Sequence, residues 1–217
     1  MISIKLNGKE IDAYFGLPSK KNGSGILVLH AWWGLNDFFK SFSERLVNEG
    51  FLVLAPDLYN KKIASSVKEA ELFRNQVDRK EINLILKRMV DFLAKHKNCT
   101  SPRLTVIGFS LGGNWASWLA NNKPKEIGKV VLFYATGAGN FAKTKADFLC
   151  HFAETDSYVS LKSVKSFKER LKKADIKATF YEYPNTQHWF FETNQLGYYN
   201  EEASQKAWER TLQFIKH

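Results

Sequence analysis

Leu104-Thr105-Val106-Ile107-Gly108-Phe109-Ser110-Leu111-Gly112-Gly113 is an apolar run ending in a glycine-flanked serine that passes straight into a helical pattern. Four consecutive apolar or β-branched residues predict a buried strand over Leu104 to Ile107, and Ser110 to Asn121 continues as a helix. Small residues around the serine let the backbone make a sharp strand-to-helix turn that lifts the hydroxyl to the helix N-terminus. A glycine-serine-glycine pattern alone is weak, and a serine at a helix start is also an ordinary N-cap. Its place between strand and helix makes Ser110 a candidate nucleophile.

The same alternation extends in both directions. Upstream, Ile2 to Leu6 and Ile11 to Phe15 form a hairpin about Asn7-Gly8, and Ile26 to His30 and Phe51 to Leu54 read as buried strands. Asp37 to Asn48 and Lys80 to Lys97 carry apolar residues at helical spacing. Downstream, strands are predicted at Val130 to Tyr134, Phe148 to Phe152 and Ala178 to Tyr183, with helices at Leu161 to Ala174 and Glu202 to Lys216. Short apolar strands between helices are what a mostly parallel sheet covered on both faces requires, so the expected class is a three-layer α/β/α sandwich. No linker or repeat divides residues 1–217, and one domain is expected.

Composition excludes several functions. A net charge of +10 could attract nucleic acid, but the lysines are scattered among glutamates and no RNA-binding motif is present. The longest apolar run, near Ile26 to Trp33, is too short to span a bilayer, so a cytoplasmic protein without membrane or nucleic-acid partners is expected. The two cysteines, Cys99 and Cys150, are expected to be reduced. No His-Glu-x-x-His, paired Cys-x-x-Cys or dinucleotide fingerprint occurs, so neither metal nor cofactor is expected.

In parallel sheets chemistry gathers beyond the carboxyl ends of the strands. After Phe148 to Phe152 comes Ala153-Glu154-Thr155-Asp156, and after Ala178 to Tyr183 comes Pro184-Asn185-Thr186-Gln187-His188. The chain order Ser110, Asp156, His188 is that of a nucleophile-elbow hydrolase, with Glu154 the rival acid. Among the five histidines, His96 and His217 lie at helix ends, His151 lies within an apolar strand, and His30 reads as structural or pocket wall.

Together with Leu29-His30-Ala31-Trp32-Trp33-Gly34-Leu35-Asn36, Ala55-Pro56-Asp57-Leu58-Tyr59 and Ala207-Trp208-Glu209-Arg210, these segments make the chain resemble the dienelactone hydrolase family of α/β-hydrolases. The resemblance covers nearly the whole chain and implies an α/β-hydrolase fold; no large cap is inserted between Tyr134 and Asp147. It implies a triad of Ser110, His188 and Asp156 and an oxyanion hole from the amides of Trp32 and Leu111. The family's namesakes use a cysteine nucleophile with a nearby glutamate; here those positions are Ser110 and Ala31. Where the namesakes bind a substrate carboxylate through an arginine, this chain has Glu192, so an anionic lactone is expected to meet a repelling charge. Trp33, Phe109, Trp189 and Phe190 are expected to line an apolar pocket for a small uncharged ester, lactone or thioester. The alternative is a non-catalytic small-molecule or partner-binding protein on the same fold, monomeric or homodimeric in either case.

Overall fold

The computed structural model describes residues 1–217 and has the expected α/β fold. Six helices accompany eight strands in one mostly parallel sheet, ordered β1-β2-β4-β3-β5-β6-β7-β8. Here β1 is Ile2–Leu6, β2 Lys9–Gly16, β3 Gly25–Leu29, β4 Leu52–Pro56, β5 Leu104–Phe109, β6 Ile127–Phe133, β7 Asp147–Ala153 and β8 Ala178–Tyr183. The helices are α1 Asp37–Asn48, α2 Val67–Gln76, α3 Arg79–Ala94, α4 Leu111–Asn122, α5 Leu161–Lys173 and α6 Glu201–Lys216. Backbone contacts gather into two compact units, Met1–Val106 and Ile107–His217.

In Met1–Val106, β1 and β2 form the antiparallel hairpin, turning at Asn7 and Gly8 with φ of +49° and +79°. Two successive left-handed residues give the tight turn whose twist matches the strands, and Asn-Gly is the pair that tolerates it. β2 pairs antiparallel and β3 parallel with β4. Every residue of β3 and β4 is buried, which explains their unbroken apolar sequence. Asn36 caps α1 by accepting from the Phe39 amide, and α1 buries Phe39, Phe42 and Leu46. α3 buries Ile82, Ile85, Leu86, Met89, Val90 and Leu93. α2 buries only Ala70, so it has no apolar stripe to announce it in the sequence. Its signal is instead the N-terminus, where Ser66 caps the Glu69 amide and Glu69 accepts from the Ser65 amide at 2.8 Å.

His30, fully buried at the end of β3, proves structural in its bonding. Nδ1 donates to the Ala31 carbonyl at 2.6 Å and Nε2 accepts from the Leu58 amide at 3.2 Å, tying the loops after β3 and β4 together. Burial lowers its pKa, in keeping with this neutral tautomer.

In Ile107–His217, β7 pairs in parallel with β6 and β8. β6 begins at Ile127, earlier than its apolar run, and ends at Phe133, leaving Tyr134 outside the strand at φ +38°. α5 buries Phe167 and Leu171, and α6 buries Ala203, Ala207, Trp208, Thr211 and Ile215. Both cysteines are free, and burial pushes the Cys150 thiol up, so it stays protonated and inert. No helix is long and apolar enough to cross a membrane.

His151 joins β7 to its neighbours, with Nδ1 2.7 Å from the Tyr183 hydroxyl and Nε2 3.0 Å from Thr211 Oγ1. Burial lowers its pKa from 6.5 to about 3, so the native state holds it neutral while the unfolded chain protonates it near 6.5. Its contribution is therefore present above about pH 6.5 and declines as pH falls towards 3, at about 1.4 kcal/mol per pH unit. Thermal melts between pH 7 and 4 should show a shallower acid decline in His151→Gln than in the native chain. An unchanged slope would remove His151 from the acid response.

Candidate active site

The chain leaves β5 at Phe109 and enters α4 at Leu111, so Ser110 alone makes the turn, at φ +49° and ψ −112°. A left-handed non-glycine residue is strained and persists only where its surroundings hold it. Here the Ser110 amide donates to the Phe133 carbonyl at 3.0 Å, and its carbonyl accepts from the Gly113 amide at 2.9 Å. The flanking glycines are sterically required. A Cβ on Gly108 would lie 2.5 Å from the Gly112 carbonyl oxygen, and one on Gly113 would lie 2.3 Å from the Ala135 Cβ.

Ser110 does not act as an N-cap, for its side chain accepts no bond from the helix. Its Oγ lies 2.8 Å from His188 Nε2, and His188 Nδ1 lies 2.7 Å from Asp156 Oδ2. Both partners are shielded, His188 being 3% and Asp156 7% exposed in their side chains. Asp156 is held from behind, since its Oδ1 accepts from the Tyr158 and Val159 amides, each at 2.8 Å. Glu154, the rival acid, points elsewhere and accepts from the Asn185 amide at 2.7 Å, bracing the turn that carries His188. Thr186 adds to that brace: its hydroxyl donates to the Tyr183 carbonyl at 2.7 Å and its carbonyl accepts from the Thr155 amide at 3.1 Å.

The histidine turn is itself strained, with Asn185 at φ +57° and Trp189 at φ +70°. Trp189 and Phe190 are buried, Trp189 with its ring 5.1 Å from that of His188 and Phe190 against Tyr134 and Tyr183. Phe109 is fully buried and stacks on Phe133 at 4.5 Å and 9°. Trp32 and Trp33 are buried in the loop after β3, where the Trp33 carbonyl accepts from the Ala64 amide.

Two tyrosines beside the imidazole were not legible in the sequence. Tyr134 lies with its ring 4.8 Å from that of His188, and Tyr158, about half exposed, lies 4.9 Å from both His188 and Trp189. Tyr134 is the last residue of a predicted strand and Tyr158 follows another, which is the only signal either offered.

Glu192 departs from its expected behaviour. It is fully buried, its Oε1 accepts from the Tyr134 hydroxyl at 2.7 Å, and its Oε2 has no partner. Burial raises its pKa to about 8, so at neutral pH it is mostly uncharged and presents no repelling carboxylate to an anion. No group of three or more His, Cys, Asp or Glu side chains is placed to hold a metal ion.

Residues 11–217 match the dienelactone hydrolase family. The chain is 28% identical to Protein usf of Aquifex pyrophilus, covering 100% of this chain and 97% of that protein. It is 25% identical to a protein of Aquifex aeolicus (strain VF5) named "Putative carboxymethylenebutenolidase", covering 100% and 97%. A crystal structure titled "Putative Dienelactone Hydrolase" from Klebsiella pneumoniae subsp. pneumoniae MGH 78578 superposes with a TM-score of 0.88 at 22% identity, over 99% of this chain and 96% of that one. With the family matched from Ile11, within β2, to the last residue, the chain belongs to the dienelactone hydrolase family of carboxylic ester hydrolases.

Proposed function

We propose that the protein hydrolyses small uncharged esters, lactones or thioesters through a covalent acyl-enzyme on Ser110. The observation that carries this reading is the unbroken line Ser110 Oγ, His188 Nε2, His188 Nδ1, Asp156 Oδ2, with links of 2.8 and 2.7 Å. Ser110 Oγ attacks the substrate carbonyl carbon while His188 Nε2 takes its proton, and Asp156 holds the imidazole in the Nδ1–H tautomer and stabilises the imidazolium. The tetrahedral intermediate collapses, the acyl–oxygen or acyl–sulfur bond breaks, and His188 returns the proton to the leaving group. Water then enters, loses a proton to His188 and releases the acid, which regenerates Ser110.

The Leu111 amide, first in α4, is a suitable donor to the developing oxyanion, since amides of a helix's first turn have no intrahelical acceptor. The family resemblance adds the Trp32 amide. A serine activated directly by histidine needs no carboxylate to govern a thiolate, which agrees with Ala31 where the namesakes have glutamate. With a mostly protonated Glu192 where the namesakes place an arginine, a substrate carboxylate finds no countercharge there, so neutral substrates fit better.

Incubation with a fluorophosphonate probe should give one adduct per chain, on Ser110 by peptide mass spectrometry. A protein left unlabelled, or labelled elsewhere, would overturn the acyl-enzyme reading.

A further inference from the structure

A carboxyl group with no exposed surface and one oxygen without a partner is costly to fold around, because each unpaired buried polar atom forfeits its hydration. An apolar residue at position 192 would avoid that cost, so what the carboxyl does for the site needs an account. Its one bond, from the Tyr134 hydroxyl at 2.7 Å, joins two segments distant in sequence.

Tyr134 lies just beyond β6 at a strained φ of +38°, directly after Phe133, whose carbonyl receives the Ser110 amide. The Tyr134 amide donates to the His151 carbonyl at 2.7 Å, so the residue is anchored in the sheet beside the nucleophile's turn. Its ring lies 4.8 Å from His188 and 5.6 Å from Phe190. Glu192 stands four residues after His188, beyond the strained Trp189, and its amide donates to the Trp189 carbonyl at 2.9 Å. The contacts close a ring: His188, its turn, Glu192, the Tyr134 hydroxyl, and the Tyr134 side chain back on His188.

We infer that Glu192 is a positioning residue for His188, acting through Tyr134. The carboxyl oxygen draws the phenol hydroxyl inward and so fixes the tyrosine ring against the imidazole, while the same bond pins the downstream end of the strained turn. Strain of this kind survives only when neighbouring contacts over-determine it. A general base must hold its orientation closely, and small displacements have large kinetic effects. Tyr158, the other ring beside His188, is about half exposed, so the buried Tyr134 is the firmer of the two walls. This inference rests on His188 being the base.

The test uses the full chain with Glu192→Ala, Glu192→Gln and Tyr134→Phe, assayed on p-nitrophenyl acetate, with proton NMR of the His188 Nδ1–H and thermal melts alongside. Glu192→Ala and Tyr134→Phe should lower kcat by about 10- to 100-fold while KM stays within about threefold, and should broaden the imidazole resonance. Glu192→Gln keeps an acceptor oxygen and should restore kcat to within about threefold of the native chain. The inference is overturned if the alanine and phenylalanine variants melt lower yet keep kcat within about threefold, or if a folded glutamine variant is as slow as alanine. Should Glu192→Ala not fold, Tyr134→Phe decides, since it keeps the ring and removes only the hydroxyl. Hydrolysis that survives His188→Ala would instead refute the base assignment itself.

Discussion

Ser110→Ala is expected to lower hydrolysis of p-nitrophenyl acetate by about 10,000-fold or more, leaving a residual rate from substrate binding and oxyanion donors alone. The proposed covalent route passes wholly through Oγ, which lies 2.8 Å from His188 Nε2. The fold should be unaffected, because the hydroxyl makes no capping bond to α4 and alanine meets the same left-handed backbone requirement as serine. Ser110→Gly should be at least as stable, since glycine takes φ +49° without a Cβ penalty, and equally inactive. Steady-state assays and melts check both statements. Turnover within tenfold of the native rate in a folded Ser110→Ala would end the proposal.

Asp156→Asn should cost nearly as much, about 10,000-fold in kcat, for a reason specific to how this carboxylate is held. Its Oδ1 accepts from two backbone amides, Tyr158 and Val159, each at 2.8 Å. An asparagine keeps those bonds only by placing its carbonyl there, which turns its NH2 group towards His188 Nδ1. Nδ1 must then accept, the ring proton moves to Nε2, and the atom facing Ser110 Oγ can no longer take a proton. The variant should fold well and be poorly labelled by a fluorophosphonate. Near-native kcat/KM would exclude Asp156 as the acid, and Glu154→Gln would then be the variant to compare.

Much of the architecture was legible because parallel strands buried on both faces must be apolar throughout. Gly25–Leu29, Leu52–Pro56 and Leu104–Phe109 are each wholly buried and stand out as runs between polar segments. α2 was not legible from periodicity because it buries one residue, and β6 was read short because Lys129, within it, is only partly buried and interrupts the apolar run. The candidate triad was legible from loop positions and chain order. What lay beyond reach was whatever depends on packing between segments: the two tyrosines beside His188, and the core burial of Phe109 and Phe190.

Glu192 marks the boundary between the two kinds of information. By itself the sequence settled the alternation of strand and helix, the glycine-bound turn at Ser110, and the order of serine, acid and histidine, because these follow from backbone sterics and from which residues must leave water. Only the tertiary structure decided that Oγ meets the imidazole instead of capping its helix, that Asp156 and not Glu154 faces His188, and that Glu192 is buried on Tyr134 and mostly uncharged at neutral pH. Protonation and hydrogen-bond choice depend on local hydration and on partners brought from distant segments, and neither is written in the order of residues along the chain.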